Sequence, residues 1–369
     1  MPACDQVIAK GRPVEKTTRL LEPGWVISDQ PRNASEHNQQ IFTMPHNLPA
    51  IYLVTPCYNA AATLGRTLES IIGQQEIVLR YHVQDAASTD GSQDVLASFA
   101  ARIAADPARY GHIEFTWSSE RDAGLYDGIS RAFGCMDIPS DALMGWLNAD
   151  DTLCDGALAQ VGAAATDLPQ CDWFCGVPRV IGETGELLAQ GRADYVYPQQ
   201  LIAAGTCDGL HWRNLQQEGS FWRKRLWDKA GGIDTRFHLA GDWDLWRRMA
   251  QHSACLQLPC TLAAFHKRDG QLSAGNAYLD ELDSFIPRSV RRKALLRFLA
   301  VLKKVPVNTV QQVNGHWIVS PTVISLGWKD WLGMLLAGAG CYKLFQLCCQ
   351  LNTCIKRCMR ERSAGVSEL

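Results

Sequence analysis

In the first half of the chain, segments with the hydrophobic pattern of strands alternate with segments with the hydrophobic spacing of helices. Short apolar runs predict four strands, at residues 51–54, 78–83, 113–117 and 142–147. Apolar residues at helical spacing predict a helix after each of the first three strands, and they include Leu64, Leu68, Ile71, Leu96, Phe99, Ile103, Ile129 and Phe133. Strand, polar loop and helix that repeat in this order indicate an α/β fold with a mostly parallel sheet and right-handed crossovers.

Polar residues follow each of these predicted strands. Thr55 comes after the first strand, Asp85 after the second, Asp122 after the third, and Asp150 and Asp151 after the fourth. Because parallel strands end at the same edge of a sheet, and open α/β sheets bind ligands there, we predict a ligand site at this edge. Neighbouring carboxylates repel each other, so such a pair usually holds a cation or performs proton chemistry.

The pattern predicts three regions. Residues 1–48 are polar without a sustained period and are interpreted as an N-terminal extension. Residues 49–275 form the predicted α/β domain, in which 173–181 and 186–189 are further candidate strands. Residues 276–369 are predicted to be helical, basic and amphipathic.

This C-terminal region contains two notable segments. Residues 288–304 carry seven Lys or Arg and no acid, with leucines between them at near-helical spacing. Such a basic helix suits an anionic membrane surface, although a helix packed on the domain explains the same pattern. Residues 328–351 are more apolar but are interrupted by polar side chains, so we expect an in-plane helix or a dimer contact rather than a membrane span.

Composition narrows the choice of compartment and partner. The chain has 369 residues, 47% of them hydrophobic and 20% charged, as in a globular protein. A net charge of −2 gives no general attraction to nucleic acid, which is therefore not an expected partner. The 14 cysteines are scattered and no secretory leader is recognisable. We therefore expect a cytoplasmic protein, peripheral on the inner face of the membrane.

The candidate chemistry involves phosphate, a cation and a base. Neither glycine-rich phosphate loop is present after the first strand. Asp150 can hold a divalent cation that bridges two phosphates and neutralises the charge of a departing diphosphate. A second carboxylate must then take a proton from the incoming nucleophile. Asp242 is the candidate, although an acid in the first turn of a helix is also explained by the helix dipole.

These residues lie in six segments that, in this order, resemble a family 2 glycosyltransferase of the bacterial surface or exopolysaccharide type, across about residues 51–273. The segments are 54–59 (VTPCYN), 84–92 (QDAASTDGS), 119–127 (SERDAGLYD), 147–151 (LNADD), 221–223 (FWR) and 241–246 (GDWDLW). The resemblance implies the GT-A fold, a Rossmann-like, mostly parallel sheet flanked by helices. It also implies inverting transfer of a sugar from a nucleotide diphosphate sugar, with a UDP-sugar favoured.

The resemblance assigns roles to four residues. Thr55 and Asp85 match residues that hold the nucleobase, Asp150 matches the acid that binds Mn²⁺ or Mg²⁺, and Asp242 matches the catalytic base. We further place on the nucleotide and donor side Pro56, Tyr58, Asn59, Ser88, Asp122, Asn148 and Asp151. We place on the acceptor side Trp222 and Arg223.

The chain departs from the family pattern at several positions. Asn148 stands where the metal motif usually has Asp, and Gly241 stands where Glu often precedes the base. Ala86 and Ala87 replace a turn that commonly contains glycine. The Gln-x-x-Arg-Trp motif of processive synthases is missing from the sequence, so we expect single additions, to a saccharide or lipid-linked saccharide in polysaccharide biosynthesis.

Two alternative functions remain open at this point. A nucleotidyltransferase shares the α/β logic and the metal-binding acids, but needs a glycine- and lysine-rich loop near the first strand, and residues 55–65 contain no lysine. A non-catalytic nucleotide-sugar-binding module would tolerate loss of Asp242, whereas the enzyme would not.

Overall fold

A seven-stranded sheet is the centre of the computed structural model, which describes residues 50–194, 196–268, 271, 277–301 and 304–325. The strands are β1 (Ile51–Cys57), β2 (Leu79–Asp85), β3 (Ile113–Ser119), β4 (Leu143–Trp146), β6 (Trp173–Cys175), β9 (Ser220–Arg223) and β10 (Leu256–Gln257), in the order β10-β6-β9-β4-β1-β2-β3. The first four are parallel, and β9 is antiparallel to both of its neighbours. The predicted α/β class with a mostly parallel sheet is confirmed.

Helices flank this sheet and supply its two hydrophobic cores. They are α1 (Ala61–Ile72), α2 (Ser92–Ala105), α3 (Pro107–Tyr110), α4 (Leu125–Gly134), α5 (Ala157–Asp167), α6 (Gln199–Ala203), α7 (Lys224–Ala230) and α8 (Gly241–Met249). The periodic residues Leu64, Leu68 and Ile71 are fully buried in one core, and Ile129 is fully buried in the other. Burial of side chains of this size stabilises the fold by roughly 1.5–3 kcal/mol each. Apolar residues are therefore favoured at the buried positions of a helix, and their helical spacing can be recognised in the sequence.

The strand predicted at 173–181 is wrong as a single element. It forms β6 and the separate β7 (Arg179–Ile181), which belongs to a second sheet with β5 (Thr152–Leu153), β8 (Leu187–Gln190) and β11 (Ala263–His266). The chain leaves the first sheet at Gly176, where a Cβ atom would lie 2.8 Å from Leu262 Cγ and 2.9 Å from its backbone nitrogen. This close approach was not visible in the apolar run.

The basic segment predicted to be helical forms α10 (Arg288–Val301), preceded by α9 (Ala277–Phe285). Its apolar side packs on the domain, because Leu295, Phe298 and Leu299 are buried in the core around β4. Arg291 is fully buried and forms ion pairs with Asp208 (3.2 Å) and Asp283 (2.5 Å). Packing on the domain therefore accounts for the amphipathic pattern.

A two-stranded hairpin follows α10, an element that the sequence did not predict. It consists of β12 (Lys304–Val313) and β13 (His316–Ser325). The hairpin contacts α5, where Asp167 accepts a 2.7 Å hydrogen bond from the Trp317 backbone nitrogen. The extension predicted at 1–48 and the segment at 328–351 lie outside the described residues.

Within the residues that the structure covers, no helix is both long and apolar enough to span a membrane.

Candidate active site

A cleft of about 930 Å³ opens at the carboxyl ends of the parallel strands. Register pairs Cys57 with Asp85 and Asp85 with Ser119, so these strands end together at one edge. The predicted site residues that line the cleft are Pro56, Tyr58, Asp122, Asn148, Asp150 and Asp242. The cleft therefore brings the predicted metal ligand and the predicted base to one surface.

Asp150 lies in the turn after β4. Its carboxylate forms an ion pair with Arg268, whose Nε atom lies 3.0 Å from Oδ2, and Gln271 Nε2 lies 3.4 Å from the same oxygen. Helix α1 fixes the turn, because Thr63 Oγ1 donates to the Ala149 carbonyl (2.8 Å) and Arg66 donates to the Asp150 carbonyl (2.9 Å). The Asp150 side chain thus faces the cleft from an anchored backbone.

Asp151 points away from the cleft and is fully buried. It accepts a 2.8 Å hydrogen bond from the His266 backbone nitrogen and a 3.4 Å bond from Asn148 Nδ2. Burial, followed by the charges of Glu218 and Asp150, raises the pKa of Asp151 well above its usual value. The carboxyl joins the turn after β4 to β11 and does not line the cleft.

The residues around Asp150 fit a divalent cation that draws its other ligands from a substrate. Across the described ranges, no three His, Cys, Asp or Glu side chains are grouped so as to hold a metal ion. Mg²⁺-type sites, however, commonly use one or two carboxylates together with phosphate oxygens and water. Asp150 offers one carboxylate, and the buried Asn148 Oδ1 accepts no hydrogen bond from any described residue. This donor set is hard oxygen, as Mg²⁺ and Mn²⁺ prefer.

Asp242 lies in the first turn of α8, half-buried at the cleft wall. Burial raises the pKa of Asp242 to about 6, and Glu281 adds a smaller electrostatic contribution. Hydrogen bonds oppose this rise: the Trp243 backbone nitrogen donates to Oδ1 (2.7 Å), and Tyr126 Oη lies 3.4 Å from the same atom. A carboxyl with this pKa is ionised at neutral pH yet basic enough to accept a proton.

Gly241 explains one departure from the family pattern. A Cβ atom at this position would lie 2.8 Å from the ring of Tyr126. The ring therefore packs on the backbone of Gly241, and its hydroxyl donates to the Leu239 carbonyl (2.9 Å) as well as approaching Asp242. A glutamate at 241 would displace the tyrosine.

Four predicted nucleotide-side residues do not line the cleft, and three of them, Asp85, Ser88 and Asn59, are joined in one hydrogen-bond network. Asp85 is fully buried and accepts hydrogen bonds from the Ser88 backbone nitrogen (3.0 Å), the Ser88 hydroxyl and the Ser119 hydroxyl (2.6 Å). Ser88 Oγ in turn accepts from the backbone nitrogen of Asn59 (2.8 Å). Thr55 is also fully buried and accepts from the Tyr81 hydroxyl (2.9 Å). The cleft itself is reached from this side by Pro56 and by the strongly exposed Tyr58.

Asp122 lines the cleft in the loop before α4. Its Oδ1 accepts a 3.0 Å hydrogen bond from the Gly124 backbone nitrogen, and burial raises its pKa. Gly128 makes room for this side chain, since a Cβ atom there would lie 2.7 Å from Asp122 Oδ2.

Trp222 and Arg223 are not at the cleft, and their assignment to the acceptor side is not retained. Trp222 is fully buried between Trp146 and Trp246, with both ring centroids 5.3 Å away. The Arg223 guanidinium donates to three backbone carbonyls in the core, at distances of 2.6–3.0 Å. Side chains alternate along β9 between two packed faces, so both residues of this aromatic–basic pair serve packing.

Among the cleft residues that sequence reasoning missed are two adjacent side chains. Gln217 and Glu218 precede β9, line the cleft and are each 6% exposed. Burial, together with the charges of Asp242 and Asp150, raises the pKa of Glu218 to about 8. A glutamate and two glutamines in a row before an apolar strand were the available signal.

Comparison with known proteins finds similarity to glycosyltransferases. Residues 52–224 match the family model described as Glycosyl transferase family 2. The match includes Asp150 and ends before Asp242. Two relatives, each named a PGL/p-HBAD biosynthesis glycosyltransferase, come from Mycobacterium tuberculosis and Mycobacterium bovis. Each is 26% identical over 201 residues, which cover 53% of this chain and 68% of the relative.

Two solved structures are similar in part. S. aureus TarS in complex with UDP-GlcNAc aligns with a TM-score of 0.48 at 13% identity, over 67% of this chain and 66% of that chain. The mannosyltransferase PcManGT from Pyrobaculum calidifontis, in complex with GDP-Man and Mn²⁺, aligns with a TM-score of 0.44 at 17% identity, over 70% and 65%. The chain thus spans just under two thirds of the length of these solved proteins.

Proposed function

The chain belongs to glycosyl transferase family 2 through residues 52–224, and we propose that it is an inverting enzyme with a nucleotide diphosphate sugar, preferably a UDP-sugar, as donor. The sugar is transferred to an acceptor hydroxyl. The observation that carries this proposal is that Asp150 and Asp242 line the same cleft. One acid serves the departing diphosphate, and the other serves the incoming alcohol.

Asp242 acts as the base in this scheme. Its carboxylate takes the proton of the acceptor hydroxyl while that oxygen forms a bond to the anomeric carbon. The bond between the anomeric carbon and the diphosphate oxygen breaks on the opposite face, so the configuration inverts and the nucleoside diphosphate leaves with the bonding electrons. The pKa of about 6 supports this role, since the carboxylate is available at neutral pH.

Asp150 and Asn148 are the residues that would hold Mn²⁺ or Mg²⁺. Such a cation supplies Lewis-acid stabilisation of the charge on the diphosphate. The protein's own contribution is to fix the Asp150 turn through the backbone bonds from Thr63 and Arg66. Because the turn is anchored, the carboxylate needs little reorganisation when substrate binds.

The nucleotide is placed on the β1 side of the cleft. Tyr58 is 68% exposed and lines the cleft with Pro56, so it offers an aromatic face to a base. Asp85, Ser88 and Asn59 support this surface through their hydrogen-bond network, and the buried Thr55 does so through its bond from Tyr81, rather than through direct contact. Asp122 is assigned to the donor sugar or nucleotide because it faces the same space.

A lipid-linked saccharide in polysaccharide biosynthesis is the proposed acceptor. With the apolar side of α10 buried, membrane contact would rest on the exposed Arg288, Lys293 and Arg297. Basic residues near an anionic surface contribute about 1 kcal/mol each. Replacing all three with alanine should release the protein from vesicles containing anionic lipid, and unchanged co-flotation would refute this contact.

The main experiment combines donor binding with turnover. Thermal shifts with UDP-glucose, UDP-N-acetylglucosamine and GDP-mannose, with and without Mn²⁺, identify the donor class, because a ligand of the folded state raises the melting temperature. Nucleoside diphosphate release is then measured with candidate acceptors. Asp242→Asn should abolish release and leave donor binding intact, whereas Asp228→Asn, at an exposed position on α7, serves as the control.

The same variant separates the enzyme from a binding module. A module that only binds nucleotide sugars loses nothing when Asp242 becomes asparagine. Turnover in the Asp242→Asn variant equal to that of the unaltered protein would remove Asp242 from the mechanism.

A further inference from the structure

The segment from Gln216 to Glu218 is held rigidly against the cleft. Gln216 exchanges two hydrogen bonds with the Arg179 backbone, at 2.9 and 3.0 Å. Gln217 Nε2 donates a 2.6 Å hydrogen bond to the carbonyl of Trp146, the last residue of β4. These bonds tie the segment to both sheets, so the side chains of Gln216 and Gln217 have little freedom to move away from the cleft.

Three buried oxygen atoms of cleft residues accept no hydrogen bond from any part of the chain that the structure describes. They are Asn148 Oδ1, Gln217 Oε1 and Glu218 Oε2. A buried polar atom without a partner is costly, and in native proteins it usually marks a place where a ligand or water binds. All three belong to one cleft, and they come from two elements that meet beside Trp146.

Glu218 lines the same cleft as the two acids of the proposed reaction, Asp150 and Asp242. Its carboxyl senses the charges of both Asp242 and Asp150. In any displacement at an anomeric carbon, the transferred sugar must lie between the group that holds the diphosphate and the group that activates the acceptor. Because Glu218 lines the cleft shared by these two groups, it belongs to the wall of the space that the sugar ring would occupy.

We propose that Glu218 and Gln217 form a subsite for the hydroxyl groups of the transferred sugar, next to Asn148, which is assigned to the cation, with Glu218 as the residue that determines sugar specificity. This inference rests on the proposed function. Sugar hydroxyls are donors and acceptors at once, so they complement amide oxygens and a carboxyl group at fixed positions. A site built to hydrogen-bond a hydroxyl discriminates strongly against analogues in which that group is missing or misplaced.

The protonation state of Glu218 agrees with this use. Burial and the two neighbouring acids raise its pKa to about 8, so the group is mostly neutral at pH 7. A neutral carboxyl donates one hydrogen bond and accepts others. It can therefore satisfy both faces of a hydroxyl without adding a third negative charge beside a diphosphate.

The test compares sugar nucleotides with their parent nucleoside diphosphates by isothermal titration calorimetry in the presence of Mn²⁺. The probes are UDP-glucose, UDP-galactose, UDP-N-acetylglucosamine and GDP-mannose, each against UDP or GDP. For the preferred donor, Glu218→Ala should raise the dissociation constant about tenfold, the scale of one hydrogen bond, while that of the nucleoside diphosphate changes less than twofold. Discrimination between UDP-glucose and UDP-galactose should also decrease.

Two further variants make the test specific. Glu218→Gln keeps the shape of the side chain and should retain part of the affinity for the sugar. Gln257→Ala removes another buried amide whose Oε1 accepts no hydrogen bond from the described residues but which lies outside this cleft, and it should leave all the ratios unchanged.

The outcomes are distinct. Equal losses of sugar nucleotide and nucleoside diphosphate in Glu218→Ala would show a structural role and overturn the subsite. Unchanged affinities for both ligands would also overturn it, while leaving the proposed transfer reaction intact. If the unaltered protein bound none of the nucleotides, the proposed function and the subsite would both fail.

Discussion

Arg268 is ion-paired with Asp150, the residue proposed to hold a divalent cation, with 3.0 Å between Nε and Oδ2. The guanidinium therefore balances the charge of this carboxylate. The Arg268 side chain is 46% exposed, so the pair is partly solvated and its contribution is small. A divalent cation at Asp150 would therefore compete with the arginine for this carboxylate.

Removal of this competitor should strengthen cation binding. Arg268→Ala is expected to lower the dissociation constant of Mn²⁺ by about twofold to fivefold, which corresponds to the usual value of an exposed ion pair. The measurement is calorimetric titration of Mn²⁺ into protein saturated with the nucleoside diphosphate. Arg121→Ala is the matched control, since Arg121 also lines the cleft. Weaker Mn²⁺ binding in Arg268→Ala would contradict competition.

The proposed base gives the reaction a defined pH dependence. Because Asp242 must be ionised to accept a proton, and its pKa is about 6, kcat/KM should fall about tenfold per pH unit below 6. It should become level above about pH 7. Initial rates between pH 4.5 and 8.5, with saturating donor and with acceptor well below its KM, measure this limb. A profile that is flat down to pH 5 would exclude Asp242 as the titrating group.

The burial that raises the pKa of Asp242 also makes the stability of the folded protein depend on pH. The pKa of Asp242 is raised in the folded protein, from about 4 in the unfolded chain. The folded state therefore binds more protons between about pH 4 and pH 6, and its stability falls as the pH rises through this range. Asp242→Asn should thus be more stable than the unaltered protein at pH 7, by up to about 3 kcal/mol, and nearly equal at pH 4. Urea denaturation at both pH values tests this, and an equal difference at both would contradict it.

The parallel half of the fold could be predicted because its signals are local. Leu64, Leu68 and Ile71 repeat at helical spacing, and each polar loop begins where a buried strand ends. These features depend on short stretches of sequence, so no tertiary information was needed. That Asp150 and Asp242 act at one site was instead expected from the resemblance of the ordered motifs to the family, and both line one cleft.

The remainder depends on contacts between distant residues. From the sequence alone, Trp222 could be an aromatic residue that binds a ligand. Only its position between Trp146 and Trp246 shows that it packs in the core. Glu218 resembles a surface acid until β9 is placed beside β4, which brings it to the cleft. The hairpin β12–β13 is a different case, because Asn314 and Gly315, both at positive φ, form its two-residue turn, a local signal that was available in the sequence.

The burial of Trp222 gives a contrast between stability and binding. Trp222→Ala should cost about 3–5 kcal/mol of unfolding free energy, as expected for a large aromatic side chain in a core. Trp222→Phe should cost less and leave the dissociation constant of the donor within twofold. Tyr58→Ala should show the reverse, because that side chain is 68% exposed at the cleft: little change in stability and weaker nucleotide binding. A donor affinity that falls in Trp222→Phe at unchanged stability would restore Trp222 to the site.

Tyr126 tunes the proposed base through a single hydroxyl group. Its Oη lies 3.4 Å from Asp242 Oδ1, and this hydrogen bond lowers the pKa of the carboxyl against the effect of burial. Tyr126→Phe removes the bond and keeps the ring packed on Gly241. The pKa of Asp242 should then rise, so the lower limb of the pH–rate profile should move to higher pH.

The variant should therefore lose more activity at pH 6 than at pH 8, whereas general damage to the site would lower both rates by the same factor. Tyr110→Phe, a buried tyrosine on α3 that does not line the cleft, is the control. A profile for Tyr126→Phe that keeps the original midpoint would show that this hydroxyl does not act on Asp242. The comparison of the two pH values is decisive, because only a shifted ionisation changes the ratio of the rate at pH 6 to the rate at pH 8.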